Sequence, residues 1–247
     1  MTHISCIIPA YNEAPRIAAV LQTVLAHRQI FEVIVVDDGS SDDTALIAES
    51  HQRTHSHLHV IRQSRNGGKT AAVAAGIAAS TGSHVMLLDS DLLGLGAGDL
   101  GALIAPVASG AADVSISLRR NAPRLWRMIG LDYISGERVL ARDLLAARLD
   151  QLHALPRFGL EVFMNRLWIA QSARIAVVAW PDVDSPMKHT KLGNWRKGLA
   201  ADAKMMRDIF RTISPAQSLR QILTMRRLRV STQPLTSAHI QAERNPR

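Results

Sequence analysis

Asp89 and Asp91 flank Ser90 directly behind the apolar run Val85-Met86-Leu87-Leu88. That run, bounded by Ser83 before it and by Gly94, Gly96 and Gly98 after it, has the pattern of a strand buried in a parallel sheet. In open α/β sheets ligands bind outside the carboxyl ends of the strands, which would put both carboxylates in a crevice rather than in the core. Side chains two apart on extended chain share a face, so the pair can approach one cation. Such hard oxygen ligands suit Mg²⁺ or Mn²⁺ held jointly with the phosphates of a substrate. Asp-x-Asp is a short signal, and a solvated strand end with a turn-forming aspartate carries the same residues.

Three further polar clusters stand at equivalent places. Pro9-Ala10-Tyr11-Asn12-Glu13 follows the apolar run 4–8, Asp37-Asp38-Gly39-Ser40 follows 31–36, and Asn66-Gly67-Gly68-Lys69 follows 58–61. Turn chemistry explains any one of them. Acids and a lysine at all four, on one edge of a sheet, fit a nucleoside diphosphate: acids for the ribose hydroxyls and base, metal and lysine for the phosphates. Two competing motifs fall short. Gly68-Lys69-Thr70 ends like a P-loop, but Gln63 stands where its first glycine belongs. Gly96-Ala97-Gly98-Asp99-Leu100-Gly101 has dinucleotide spacing, yet the next acid, Asp113, falls short of the ~20 residues expected of a ribose contact. The preceding acidic pair would also repel a pyrophosphate without an intervening cation.

The elements that must position these turns alternate in type. Strand-like runs at 4–8, 31–36, 58–61, 85–88 and 113–118 are separated by helical spacing, as in Ile17, Val20, Leu21, Val24 and Leu25, by an Ala-rich stretch to Ala79, and by a helix from about Asp99. Asn12 is expected to cap the first helix, with Pro15 in its first turn. Strands alternating with helices predict an α/β fold, a mainly parallel sheet with crossover helices. Beyond Arg119 the alternation weakens: 131–149 and 160–169 read as helical and 175–179 as a strand. With 247 residues and 47% hydrophobic content a sizeable core is expected. No apolar run approaches the ~18 residues of a spanning helix. The single cysteine, Cys6, reads as a small buried hydrophobe. His51, His55, His57 and His59 lie between a helix and a strand without carboxylates and read as surface.

Ile7-Ile8-Pro9-Ala10-Tyr11-Asn12-Glu13, Val35-Val36-Asp37-Asp38-Gly39-Ser40-Ser41-Asp42, Asn66-Gly67-Gly68-Lys69 and Asp89-Ser90-Asp91 together resemble family 2 glycosyltransferases, in order and spacing, clearly over about the first 120 residues and loosely to Gly193. The resemblance implies a GT-A fold and a nucleotide-sugar donor. Pro9, Ala10, Tyr11 and Glu13 would then line the base and ribose, and Asp38 would bind base or ribose. Lys69 would lie near the nucleotide with Asp89 and Ser90, and Asp91 with Asp89 would hold the divalent cation, Mn²⁺ or Mg²⁺. A late histidine, here His189, would complete the metal shell. The catalytic base is sought first at Glu161, in Phe158-Gly159-Leu160-Glu161, and second at Glu137, in Ser135-Gly136-Glu137-Arg138; either can equally be a surface helix charge. Arg119 and Arg120 follow a strand and are candidates to clamp a donor or acceptor phosphate, or ordinary solvated charges.

Charge divides the chain unevenly. From Lys188 onward there are 13 Lys and Arg against 3 Asp and Glu, whereas the preceding residues are nearly balanced. The domain expectation is a catalytic unit at 1–193, with a nucleotide-binding half at 1–118 and an acceptor-side half at 119–193, followed by a basic amphipathic helical tail at 194–247. Trp195, Leu199, Met206, Ile209, Phe210 and Ile213, then Leu219, Ile222, Leu223 and Leu228, give apolar faces bordered by Arg and Lys. Such faces suit an anionic membrane interface, and equally the catalytic body or a second copy in a homodimer. The expectation is thus a metal-dependent, inverting transferase using a UDP- or GDP-sugar, peripheral to the cytoplasmic face of the cell membrane, with a polyprenyl-phosphate or other lipid-linked acceptor. A soluble enzyme making a small glycoside, retaining or not, and a non-catalytic nucleotide-sugar binder remain open. Nucleic-acid binding would leave the four rim turns unexplained, and 4% aromatic content offers few stacking platforms.

Overall fold

The structure, a computed structural model, describes residues 2–122, 124–155, 159–186 and 213–231. Four strands open the chain, each followed by a helix: β1 (Ile4–Ala10), α1 (Ile17–Leu25), β2 (Ile30–Asp37), α2 (Thr44–Gln52), β3 (Leu58–Arg62), α3 (Lys69–Ala79), β4 (His84–Leu87) and α4 (Ala97–Ala108). There follow β5 (Val114–Arg119), α5 (Arg124–Ile129), β6 (Arg138–Ala141), α6 (Asp143–Ala146), α7 (Leu149–His153), α8 (Gly159–Ala170) and β7 (Ile175–Trp180). After the gap in the described residues come α9 (Pro215–Arg227) and β8 (Arg229–Val230). They form one eight-stranded sheet in the order β3-β2-β1-β4-β6-β5-β7-β8, in which β6 alone runs antiparallel to its neighbours.

Both faces of the sheet are covered, as the near-continuous apolar strands require. Side chains alternate along β1, so Cys6 and Ile8 join a core with Val20, Leu21, Leu103 and Ile104 of α1 and α4. Ile7, between them, packs on the other face with Val73 and Ile77 of α3 and with Met164 and Trp168 of α8. Cys6 is fully buried and its thiol is pushed up by desolvation, consistent with a packing role. The mainly parallel, helix-flanked sheet expected from the alternation is what the chain forms.

Three local readings are corrected. The stretch 131–149, read as helical, contains a turn at Tyr133-Ile134, a bend at Gly136, β6 and the short helix α6, and ends where α7 begins. Asn12 does not cap a helix: it adopts the left-handed region at φ 54, its side-chain oxygen accepts from the Ser41 amide at 2.9 Å, and α1 begins only at Ile17. The strand before the acidic pair ends at Leu87, so Asp89 to Asp91 occupy a turn rather than extended chain.

The reversed β6 is what completes the rim. Because it runs opposite to β4, its first residue Arg138 pairs with Leu87, the last residue of β4. Gly136 and Glu137 therefore arrive at the edge where Asp89 leaves. Residues 213–231 return to the same body: β8 pairs with β7, Ile213, Ile222 and Met225 are buried against the α8 side, and Tyr133 donates its hydroxyl to Gln221 Oε1 at 2.6 Å. Most of the first tail stretch, from Trp195 to Phe210, lies outside the described residues. Among the described residues no helix is long and apolar enough to cross a membrane.

Candidate active site

The first two strand ends are stitched to each other. Ala10 pairs with Asp37, and its carbonyl accepts from the Asp38 amide at 2.8 Å. The amides of Asn12 and Glu13 donate to Ser40 Oγ at 3.0 Å and Thr44 Oγ1 at 2.8 Å. Asp38 reaches the third turn, its two carboxylate oxygens accepting from the amides of Gly67 at 2.7 Å and Gly68 at 2.8 Å. A Cβ on Gly39, at φ +68, would meet the backbone of Arg65 and Asn66 at 2.8 Å, so only glycine lets these turns approach. Tyr11 stands exposed beside this scaffold, Pro9 is half-buried, and Glu13 is bonded to Arg16.

The fourth turn meets the α3 terminus and α8. Lys69, at the first position of α3, donates to Asp89 Oδ1 at 2.7 Å and lies 3.4 Å from Glu161 Oε1. Burial works against its charge, but Asp89 and Glu161 outweigh that and hold the ammonium above its ordinary value. Burial likewise opposes charge on Asp89, while Lys69 and Arg119 overcome it and keep the carboxyl below its usual range. The pair is wedged against Gly136: a Cβ there would come within 2.6 Å of Lys69 Nζ and 2.8 Å of Asp89 Oδ1. Ser90 is buried behind the turn.

Behind this surface lies a second layer of charge. Arg119 donates to Glu137 Oε1 at 3.2 Å, sits 4.0 Å from Asp132, and also feels Asp89 and Asp91, so both members of the acidic pair face one guanidinium. Glu137 is fully buried and accepts from Ser117 Oγ at 2.6 Å and Ser135 Oγ at 2.8 Å. Desolvation pushes the buried Asp132 carboxyl up to about 6 against the pull of Arg119. Arg138, fully buried, donates to Asn165 Oδ1 and to the carbonyls of Ser135 and Tyr133, and its guanidinium lies 4.7 Å from the Trp168 ring centre. Burial draws that guanidinium down to about 10. Arg120, by contrast, is exposed and paired with Asp184.

The structure thus gathers Lys69, Asp89 and Glu161 at one point, places Asp91 and Arg119 in the same field, and leaves Glu137 behind Arg119 rather than at the surface. Arg120 points to a separate pair, and His189 lies outside the described residues. Sequence reasoning missed Asp132, Arg138, Ser117, Ser135 and the cradle at Gly136. The Ser135-Gly136 step, a breaker inside an apparent helix, was the available signal. His51, His55 and His57 contact one another through their rings, and no group of three or more His, Cys, Asp or Glu able to hold a metal occurs among the described residues. Two hard carboxylates fit a divalent ion that takes its remaining ligands from phosphates and water, and not one caged wholly by protein.

The family model for glycosyl transferase family 2 matches residues 5–145, more than half of the chain. The chain belongs to glycosyl transferase family 2. Among curated relatives, this family 2 chain is 36% identical over 94 residues to a dolichyl-phosphate beta-glucosyltransferase of Trichomonas vaginalis, covering 34% of this chain and 28% of the relative. It is 38% identical over 95 residues to an undecaprenyl-phosphate 4-deoxy-4-formamido-L-arabinose transferase of Pectobacterium carotovorum, covering 36% and 29%. The matched segments thus span under a third of those relatives' length. Among solved structures, glucosyl-3-phosphoglycerate synthase of Mycobacterium tuberculosis with Mn²⁺ and UDP-glucose gives a TM-score of 0.62 at 25% identity, covering 86% of this chain and 78% of that one. The same synthase with Mn²⁺, UDP and phosphoglyceric acid gives 0.64 at 23% identity, covering 86% and 79%. The GT-A fold that the resemblance implied is the fold shared with these solved structures.

Proposed function

We propose that this family 2 chain transfers a sugar from a UDP- or GDP-sugar to a phosphate-bearing acceptor, with a divalent cation held between Asp89, Asp91 and the donor diphosphate. The observation that carries the reading is the convergence of Lys69, Asp89 and Glu161 on the rim beside the turns pinned by Asp38. The solved relative's complexes with Mn²⁺ or Mg²⁺ and UDP support the cation and the donor class.

In this reading Pro9, Ala10, Tyr11, Glu13 and Asp38 receive the base and ribose, and Ser90 packs the turn that carries the acidic pair. The bound cation would stabilise the negative charge that develops on the leaving diphosphate. Lys69 adds a positive charge on the same side. An acceptor oxygen bonds to the anomeric carbon as the bond from that carbon to the phosphate oxygen breaks, its electron pair leaving with the diphosphate. A hydroxyl acceptor gives its proton to Glu161, the buried carboxylate that lies beside Lys69; a phosphate acceptor is already anionic and has none to give. Arg119 and Glu137 act from behind, fixing the charge and orientation of the acidic pair. Inversion at the anomeric carbon is the expected stereochemistry.

The acceptor we favour is a polyprenyl phosphate, in line with the two curated relatives. On the outer side of α9, Leu219 and Leu223 are exposed beside Arg220, Arg226 and Arg227, a composition suited to peripheral attachment at an anionic membrane face. A second reading, a small soluble phosphorylated acid, is favoured by the likeness to the synthase over most of the chain. Thermal-shift measurements with UDP-, GDP-, CDP- and dTDP-sugars, with and without Mn²⁺, test the donor, since a ligand specific to the native state raises the melting temperature. Stabilisation by none of them, with or without metal, defeats the proposal. Flotation with anionic vesicles decides the acceptor: co-flotation supports the lipid, and no binding leaves the soluble acid.

A further inference from the structure

Lys69 Nζ lies 2.7 Å from Asp89 Oδ1 and 3.4 Å from Glu161 Oε1, so one ammonium is shared between a proposed cation ligand and the proposed base. The fit is enforced by backbone, because the pair fills the space that any side chain at residue 136 would need. Lys69 is also tethered, its backbone opening α3 directly after Gly68, which the Asp38 carboxylate holds. We propose that Lys69 is a built-in counter-ion that holds the cation's place at Asp89 until the donor diphosphate arrives, making divalent-cation binding dependent on the nucleotide.

An acidic pair with a third carboxylate nearby would attract a dication by itself. Lys69 and Arg119 together face Asp89, Asp91, Glu161 and the buried Glu137, so the two cations offset part of that negative potential, and an incoming dication must displace or face the ammonium that is in contact with Asp89. A donor diphosphate reverses the balance. It supplies at least two anionic oxygens, gives Lys69 another partner on the same rim, and offers the cation its missing ligands. The same swing frees Glu161 from its lysine, so the base becomes available only when the donor is seated. The pair is partly exposed, with the Lys69 side chain at 40% and Asp89 at 24%, and can open without unfolding.

This inference rests on Asp89 being a cation ligand, and its test separates the two claims. Mn²⁺ affinity is read by electron paramagnetic resonance of the free ion, with and without UDP, on wild type, Lys69→Met, Lys69→Gln and Lys69→Arg, each checked for a cooperative melt. The expected result is weak Mn²⁺ binding by wild type alone and marked tightening with UDP. Lys69→Met, or Lys69→Gln should Met not fold, should bind Mn²⁺ alone about fivefold or more tighter, the scale of one partly exposed ion pair. Lys69→Arg should stay near wild type. Equal or weaker Mn²⁺ binding by both neutral variants overturns the counter-ion role while leaving the metal site intact. Absence of Mn²⁺ binding by every protein, even with UDP, overturns the metal-dependent reading itself and this inference with it.

Discussion

Gly136→Ala is the substitution that the geometry makes most specific. Its new methyl would lie 2.6 Å from Lys69 Nζ and 2.8 and 2.9 Å from the two Asp89 oxygens, well inside ordinary van der Waals contact. Gly136 is not among the positive-φ glycines, so backbone strain plays no part and the effect is one of space alone. Lys69 is the long, flexible member and must swing away, whereas Asp89 sits on a short stem in a packed turn. Overpacking typically costs about 1–3 kcal/mol, and retreat of a flexible side chain places this case near the lower end. The loss at the site is larger in consequence, because the Asp89 carboxylate is pushed off the position from which it would meet a donor-bound cation. A displacement worth about 1.4 kcal/mol is tenfold in affinity, so UDP binding in Mn²⁺ should weaken about tenfold while the melting temperature falls by only a few degrees. Gly98→Ala is the control: nothing lies within 4 Å of its Cβ, it sits in α4, and it should be neutral or slightly stabilising. Titration calorimetry with UDP and Mn²⁺, beside thermal melts, measures both. Wild-type UDP affinity in Gly136→Ala would refute the placement of Lys69 and Asp89.

Other expectations concern the buried charges. Glu32 accepts from Ser5 Oγ at 2.6 Å, the Thr81 amide at 2.6 Å, Thr81 Oγ1 at 2.9 Å and the Gly82 amide at 3.2 Å. Burial alone would raise its pKa, but these bonds lower it, so its stabilisation is present above the ordinary Glu value and lost as pH falls through the lower folded one. Glu32→Gln should therefore cost about 2 kcal/mol at pH 7, with the deficit shrinking in acid; a pH-independent deficit in urea unfolding contradicts this. Asp132 has the opposite sign: its folded value of about 6 lies above that of the unfolded chain, so its contribution is present below about pH 4 and lost as pH rises through 6. Asp132→Asn should gain on wild type across that window, and a constant difference from pH 4 to 8 refutes it. Arg138→Met strands the acceptors at Asn165 Oδ1 and the Ser135 carbonyl in the core, leaving the Tyr133 carbonyl only its bond from Asn165 Nδ2, at a cost of about 3–5 kcal/mol. The melting temperature should drop by about 10 °C, and a change under about 2 °C would show the network to be dispensable.

The nucleotide half was legible because local and global signals agree there. Each apolar run is short and stops at a polar turn, so β1 to β5, with α1, α3 and α4 between them, could be read in order. The rim followed from topology, since parallel strands end on one edge. The acceptor half was less legible for a physical reason. The apolar core of β6 is only three residues long, Val139, Leu140 and Ala141 being preceded by Arg138, and Arg138 is buried not as an apolar residue but as a satisfied cation. No periodicity marks such a strand. Asp132 and Glu137 were equally hidden, because a buried acid looks like a surface acid until its partners Arg119 and Ser117 arrive from β5. Lys69, Asp89 and Glu161 were each named from sequence, whereas their mutual contact required the fold.

The central claim is that the acidic pair behind β4 holds a divalent ion against a nucleoside diphosphate. Diffraction from crystals soaked with UDP and Mn²⁺, recorded at the manganese absorption edge, tests it most directly. The account predicts one anomalous peak within coordination distance of Asp89, Asp91 and the diphosphate, with Lys69 turned from Asp89 toward phosphate. UDP bound on the rim without a manganese peak at that pair would contradict it.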